Sequence, residues 1–400
     1  MNILAVNAGS SSFKFKLFNT ANETVLAQGA VERIGGNSSA FQYRSGEISA
    51  EGALKAPDHL PAVRHAIDFL KKARSLRLDG VGFKTVFAKG FTRSALIDEH
   101  VVAGLEAYIP VMPLHNPAYL ACIRTFQSLT PDIPLAAVFE TAFHETVPPH
   151  ARELGLPRAW VEKHGLRRYG FHGASHRWTS ERAPQLMKEH GLKIGREPLR
   201  LISCHLGGSS SLCAVLGGKS IDVTMSFSAQ SGVLQGSRCG DLDPFIPIYL
   251  MSVHGMSVEE LSRELMTNAG LAGVSGIPGG DLRDLLDAAG KGEDNAALAL
   301  DAFHYGVKKA VGAYAAALGG VDILAFTGGI GERSAATRHA VCADMERLGL
   351  KLDAARNETV QGEGILSSND SEAAIMTVSA NEEYIVARET ARLIQEKGDR

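Results

Sequence analysis

Three stretches of the chain gather side chains able to bind or polarise an anion. The first is Asn7-Ala8-Gly9-Ser10-Ser11-Ser12, followed by Lys14. Small residues let a backbone approach a ligand closely, and hydroxyls and N–H groups in a tight turn suit phosphate oxygens. Lys14, just past the turn, offers a point charge to a phosphate. An ordinary Gly/Ser hairpin turn would use the same residues. The second stretch, Gly165 to Trp178, holds Arg167, Arg168, Tyr169, His172, Ser175 and His176, punctuated by Gly170 and Gly173. A Gly-flanked histidine beside paired arginines and another histidine has the makings of a site, although a lone histidine is more often structural. In the third, Ile221 to Pro244, Arg238 lies between small residues with Asp241 and Asp243 close by. Arg238 is either an anion ligand or an arginine neutralised by its neighbours.

These stretches need elements to hold them. Ile3 to Val6 reads as a buried strand, and Phe13 to Phe18 alternates apolar and polar, so the first turn joins two strands. The pattern recurs at residues 200–215, RLISCHLGGSSSLCAV, where Gly208-Ser209-Ser210-Ser211 again parts two strand-like runs. Two such hairpins, almost half a chain apart, suggest a duplicated unit that could hold a nucleotide's phosphates from both sides. Leu135 to Phe139 reads as a buried strand delivering Glu140 to His144 at its C-terminal end, where ligand groups gather in α/β folds. Asp79 to Val86 reads as a strand ending near a cleft. Leu60 to Lys72 has helical spacing. Pro113 to Pro117 leads into a helix with Asn116 as its expected N-cap and Pro117 at its first position. Asp281 is a good N-cap, Ala296 to Leu318 reads as a core helix, and Asp322 to Phe326 is a strand running into the Gly-rich turn Thr327 to Glu332. Ala373 to Val378 is another buried strand, and the amphipathic Tyr384 to Gln395 is expected to pack back on the first domain.

With 400 residues the chain is long enough for two or three domains. Its formal net charge of −3 leaves no basic footprint for nucleic acid. The start has no basic n-region or long apolar core, and no apolar run approaches membrane-spanning length, so neither a signal peptide nor a membrane is expected. The five cysteines are odd in number and include no CxxC, which reads as reduced thiols in a cytoplasmic protein. Gly217-Gly218-Lys219-Ser220 resembles the end of a P-loop, but Cys213 stands where the earlier glycine belongs, and the segment reads as a hairpin turn. Gly329-x-Gly331 lacks the third glycine of a dinucleotide fingerprint.

Nine motifs, NAGSSSFKF, PLHNPA, FETAFH, RRYGFHGASH, HLGGSSS, GSRCGDLDP, GGDLRDL, FTGGIGE and ANEE, stand in an order and spacing that resembles the acetate kinase family over essentially the whole chain. The resemblance implies an α/β fold of two duplicated actin-like (ribonuclease H-like) domains, each a mixed β-sheet flanked by helices, with a nucleotide cleft between them. The implied division is 1–147 plus 384–400 and 148–383. It further implies a homodimer that moves a phosphoryl group between ATP (or ADP in reverse) and a short-chain carboxylate with Mg²⁺, or with Mn²⁺ in its place. Carried over by position, Glu140, His172, Arg238 and His115 resemble the catalytic groups, and Asn7 and Glu382 the metal-associated pair. Lys84, Val86, Leu114, Phe171 and Ala229 resemble the substrate pocket. Ser12 and Lys14, the turn His205, Gly207, Gly208 and Ser209, the segment Asp281, Leu282 and Arg283, and the segment Gly329, Ile330, Gly331, Glu332 and Arg333 resemble nucleotide-binding parts.

The chain departs from the family's usual pattern in four places. Lys84 replaces an arginine, so a point charge replaces a two-pronged grip on a carboxylate. Glu140 replaces an aspartate and reaches one methylene further. Gly208-Ser209 replaces Asn-Gly, and Ala229 replaces a pocket proline, which enlarges the pocket for propionate or a hydroxy acid. Two readings follow: an active short-chain carboxylate kinase with acetate as default substrate, or a catalytically weakened nucleotide-binding paralogue serving as sensor or assembly partner.

Overall fold

The computed structural model describes residues 1–73, 77–113, 115–192 and 197–398. The chain divides into two compact units, 1–142 with 381–400, and 143–380. The boundaries implied by the resemblance, 147/148 and 383/384, lie a few residues further along. The observed division groups Glu382 with the first unit.

In the first unit the described strands are β1 (Asn2–Gly9), β2 (Ser12–Asn19), β3 (Thr24–Glu32), β4 (Ser39–Ser45), β5 (Ile48–Leu54), β6 (Gly80–Thr85), β7 (Ala95–Leu96) and β8 (Leu135–Phe139). They form one sheet in the order β5-β4-β3-β2-β1-β6-β8-β7. The β1, β6 and β8 strands run parallel, and β2 to β5 follow as antiparallel neighbours. Adjacent side chains on a strand point to opposite faces. Phe83 packs edge-on against Phe126, ring centroids 5.5 Å apart, so the helix Asn116–Leu129 covers its face. Gly82 faces the other way, against the C-terminal helix Glu382–Gly398. A Cβ at Gly82 would lie 2.1 Å from Thr390 Oγ1 and 2.9 Å from Val386 Cγ1, so only glycine admits that helix so close to the sheet. The expected packing of the C-terminal segment on the first domain is observed.

The second unit contains β9 (Arg200–His205), β10 (Ser211–Leu216), β11 (Lys219–Val223), β12 (Ile323–Thr327), β13 (Gly364–Ile365) and β14 (Ala374–Thr377), in the order β11-β10-β9-β12-β14-β13. The run β3-β2-β1-β6-β8 of the first sheet thus recurs as β11-β10-β9-β12-β14, with the same parallel and antiparallel senses. This is the duplication that the two GSSS turns suggest. Ile202 and Cys204 pack toward the long helix Asp294–Leu318, while Leu201 faces the helix Gly173–Glu189. The GGKS segment is a hairpin turn, with Gly217 and Gly218 both at positive φ.

One local expectation is corrected. Asn116 is not the N-cap of its helix; His115 holds that position without a side-chain cap. The Asn116 amide is buried and donates to the carbonyls of Phe87 (3.1 Å) and Leu105 (2.9 Å). Phe87 and Leu105 are fully buried, and an asparagine amide offers two donors, so satisfying their carbonyls outweighs capping.

Candidate active site

In the first unit, the C-terminal ends of β1, β6 and β8 gather the charged residues. The parallel register pairs Val6 with Phe83 and Lys84 with Val138. Asn7, Lys84 and Glu140 therefore come to the face that the C-terminal helix covers, and Glu382 opens that helix. The Lys84 ammonium contacts Glu382 and stands 3.7 Å from Glu140 Oε1. Both Glu140 oxygens are buried without a hydrogen-bond partner. Burial raises the Glu140 carboxyl to about 7, against the pull of Lys84 and with a further push from Glu382. Burial works against the Lys84 charge, yet Glu382 and Glu140 together hold its pKa well above the usual lysine value.

This donor set fits a hard divalent cation. Glu140 brings two orphaned oxygens, and Asn7 and Glu382 are the oxygen-bearing side chains that would join it; Mg²⁺ takes one or two carboxylates and leaves its other positions to water and substrate phosphates. Among the described residues no group of three His, Cys, Asp or Glu gathers as a metal site.

Ser12 and Lys14 flank the β1–β2 turn. Lys14 lies opposite Asn7 in register and pairs with Glu32 at 3.7 Å, both side chains being mostly exposed. His59 Nε2 bonds the Gly9 carbonyl at 2.9 Å and steadies the turn from below. Val86 is buried just past β6. Leu114 lies outside the described residues.

His115 stays in the first unit, at the head of the helix Asn116–Leu129, and the second unit holds the remaining expected groups. Arg238 donates to Ser209 Oγ (3.2 Å), the Ala229 carbonyl (3.3 Å) and Gln235 Oε1 (3.3 Å). Every one of these acceptors is neutral. Asp241 instead accepts from the Gly232 N–H, and Asp243 from the Phe245 N–H. Neutralisation of Arg238 by its neighbours is therefore not what the structure shows. The guanidinium is largely desolvated, which lowers its pKa. A partly buried cation with only neutral partners is suited to receive an anion.

The segments expected to bind nucleotide are tied to this arginine's loop and to one another. Gly236 N–H donates to the Gly208 carbonyl at 3.0 Å. A Cβ at Gly280 would lie 2.2 Å from the Gly236 oxygen, so glycine there lets the 279–283 segment touch the arginine loop. Asp281 caps the helix Leu282–Gly290 and pairs with Arg283, whose hydrogen bonds pull its carboxyl down to about 2. The Leu206 carbonyl accepts from Ile330 N–H (2.8 Å) and Gly331 N–H (3.1 Å), which ties the 205–209 turn to the short helix Gly328–Arg333. The Glu332 carboxylate accepts from Gly328 and Ala380 N–H groups at 3.1 Å, so it orders the backbone.

His172 sits at the head of the helix Gly173–Glu189 in the left-handed region, φ +57°. For a residue with a Cβ that conformation costs on the order of 1 kcal/mol and persists only where its surroundings enforce it. Its ring stacks on His205, centroids 4.2 Å apart. Phe171 is buried and Ala229 lends its carbonyl to Arg238. The paired arginines play other parts. Arg168 donates to the Ala151 and Val223 carbonyls, and Arg167 lies over the Tyr169 ring at 4.7 Å.

The acetokinase family model matches residues 2–388. The chain belongs to the acetokinase family. It is 40% identical over 407 residues to an acetate kinase of Thermotoga petrophila, covering all of both chains. It is 42% identical over 396 residues to one of Geobacillus kaustophilus, covering 98% of each. Among solved structures it superposes on the Porphyromonas gingivalis acetate kinase with a TM-score of 0.86 at 38% identity, covering 98% of this chain and 99% of that one. A Francisella tularensis propionate kinase gives 0.89 at 34% identity with the same coverage. The fold is accordingly the two-domain actin-like α/β fold of those kinases, and the chain is a kinase-type phosphotransferase.

This acetokinase-family chain also carries functional neighbours that sequence reasoning missed. Arg338 is fully buried and donates to the Gly331 and Glu332 carbonyls and to Asn357, so it clamps the end of the helix Gly328–Arg333. Nothing local distinguishes it from a surface arginine, since its helix Ala335–Cys342 is short and mixed in character. Tyr119 lies buried near Lys84 and Glu140, with its pKa raised mainly by burial. His144 and His176 are buried hydrogen-bonding histidines. His144 Nε2 donates to the Phe171 carbonyl and its Nδ1 accepts from Ser220, both at 2.9 Å. The FETAFH spacing suggested a ligand residue at 144; the structure makes it the support under Phe171 and His172.

Burial lowers His144 to about 4 and holds His176 well below its usual value. In the unfolded chain both titrate near 6.5. Below that pH the unfolded state takes up protons that the folded state refuses. Stability therefore falls as pH drops from about 6.5 toward 4, by about 3 kcal/mol for His144 alone. Urea unfolding at about pH 7 and about pH 5 should show a smaller acid loss for His144→Gln than for the parent. Equal losses would remove His144 from the linkage.

Proposed function

We propose that this chain is a Mg²⁺-dependent short-chain carboxylate kinase that reversibly transfers the γ-phosphoryl of ATP to acetate by direct in-line displacement, giving acyl phosphate and ADP. The observation that carries the reading is Arg238, a desolvated guanidinium held entirely by neutral acceptors. A carboxylate is ionised at neutral pH, so the nucleophile needs no strong base. What must be managed is charge on the transferring phosphoryl, and positioned donors supply that. Arg238 and His172 fill this role, with His115 as a further donor. Lys84 draws the acid's carboxylate, and the apolar side chains of Val86 and Phe171 suit its alkyl group. Ala229 leaves room for propionate.

Ser12, Lys14, the 205–209 turn, Asp281 to Arg283 and Gly329 to Arg333 bind ATP. Asn7 and Glu382, with Glu140, hold Mg²⁺, which when bound neutralises phosphate charge. Glu140's orphaned oxygens support that assignment. The protein works as a homodimer. The helix Phe245–His254 supports this: Phe245, Ile248, Tyr249 and Val253 are all more than half exposed, a patch that a second copy would cover. Five free cysteines suit a cytoplasmic setting. Among the described residues no helix is long and apolar enough to cross a membrane.

The test is ADP formation with Mg-ATP and acetate, propionate, butyrate or lactate. Acceleration by one of the acids is the expected result. ATP bound without acceleration by any of them would favour the sensor or assembly reading, which the Lys84–Glu382 contact also suits.

A further inference from the structure

Three serine hydroxyls and three histidines of the second unit form two short hydrogen-bond chains. In one, Ser203 Oγ meets His176 Nδ1 at 2.9 Å. His176 Nε2 meets Ser211 Oγ at 2.9 Å, and Ser211 Oγ meets His172 Nδ1 at 2.7 Å. In the other, Ser175 Oγ meets His205 Nδ1 at 2.8 Å. Ser175, Ser203, Ser211 and His176 are all fully buried.

Proton counting gives these chains a direction. A hydroxyl has one proton, and a neutral imidazole has one N–H and one acceptor nitrogen. Among the described residues Ser203 has no partner other than His176. If His176 Nδ1 carried the proton, the Ser203 proton would be buried without an acceptor, at a cost of about 1–3 kcal/mol. Ser203 therefore donates to His176 Nδ1, His176 Nε2–H donates to Ser211, and the Ser211 proton goes to His172 Nδ1. The same count at Ser175, whose partner is His205, sends its proton to His205 Nδ1. Burial keeps His176 neutral, as the count requires.

We propose that Ser211, backed by His176 and Ser203, and Ser175 fix the stacked imidazoles of His172 and His205 as a pair of Nε2–H donors. They are positioning residues: they act through the two histidines and leave the substrate to them. A tautomer set in advance means that no proton has to move when negative charge develops on a phosphoryl oxygen. The structural part of this inference stands on geometry alone, and its catalytic consequence rests on the function proposed above.

Two-dimensional NMR of the full-length protein labelled with ¹⁵N-histidine reads the tautomers directly. Signals are assigned through His172→Gln and His205→Gln. We expect Nδ1 of both residues at the unprotonated shift and Nε2 at the protonated one. In Ser211→Ala, His172 should lose the single tautomer, kcat should fall about fivefold and the KM for ATP should stay within about twofold. Ser211→Thr keeps the hydroxyl and should restore the His172 signals. An Nδ1–H tautomer at either histidine in the parent protein would overturn the proposal. So would a Ser211→Ala spectrum in which His172 is unchanged. Expected tautomers with unchanged kcat in Ser211→Ala would leave the proton count standing and remove His172 from the chemistry.

Discussion

Replacing Arg238 with alanine should lower kcat about 10²–10³-fold while ATP still binds. The size of the effect follows from where the charge sits. Arg238 is desolvated and its hydrogen bonds go to Ser209, Gln235 and the Ala229 carbonyl. None of these is ionised, so its attraction for an incoming anion is not spent on a resident carboxylate. In a low-dielectric site such a charge acts far more strongly than it would in water. Under the proposed function ATP is held by other groups, namely the 205–209 turn, Asp281 to Arg283 and Gly329 to Arg333, so the dissociation constant for ATP should change little. Arg238→Lys keeps the charge but loses the planar fork, and should fall between the parent and the alanine variant. Stopped-flow turnover beside nucleotide titration separates the two quantities. A variant that keeps most of its kcat would strip Arg238 of the role assigned to it.

Lys84→Met should cost about 3–5 kcal/mol of stability in metal-free buffer. The lysine contacts Glu382 and stands 3.7 Å from Glu140 in the first unit. Without it, two carboxylates stay close together and buried, and the Glu140 oxygens already lack hydrogen bonds. Breaking a buried ion pair from one side is costly because the remaining charge is uncompensated. Removing that charge as well should reverse much of the loss, so Lys84→Met with Glu140→Gln should be more stable than Lys84→Met alone. A double-mutant cycle read by urea unfolding measures the coupling. Additive losses would mean that the lysine and Glu140 do not interact.

Much of the fold was legible because short-range pattern and long-range packing agree. The alternation of Phe13, Phe15 and Leu17 against Lys14 and Lys16 is the pleat of β2, and all three apolar residues are buried. The two GSSS turns announced a repeat that the strand orders bear out. Asp281 caps its helix as its residue type predicts. Legibility ended where a side chain's partner is distant in sequence. Asn116 has a capping residue's chemistry, yet two buried carbonyls claimed its amide. His144 and Arg168 stand in motifs dense with functional residue types, yet they hold up backbone. Arg338 is used to clamp the end of the helix Gly328–Arg333, which only its burial reveals. The departures Lys84 and Glu140 could be read as changes, but their contact through one ammonium needed the parallel register of β1, β6 and β8.

Phosphoryl transfer to a carboxylate gives an acyl phosphate, a product that can be trapped. The protein is incubated with Mg-ATP, acetate or propionate, and hydroxylamine, which converts an acyl phosphate to a hydroxamate. Hydroxamate forming in step with ADP, and only when a short acid is present, is the predicted result. ADP released without hydroxamate, or no ADP from any acid while ATP is bound, would contradict it.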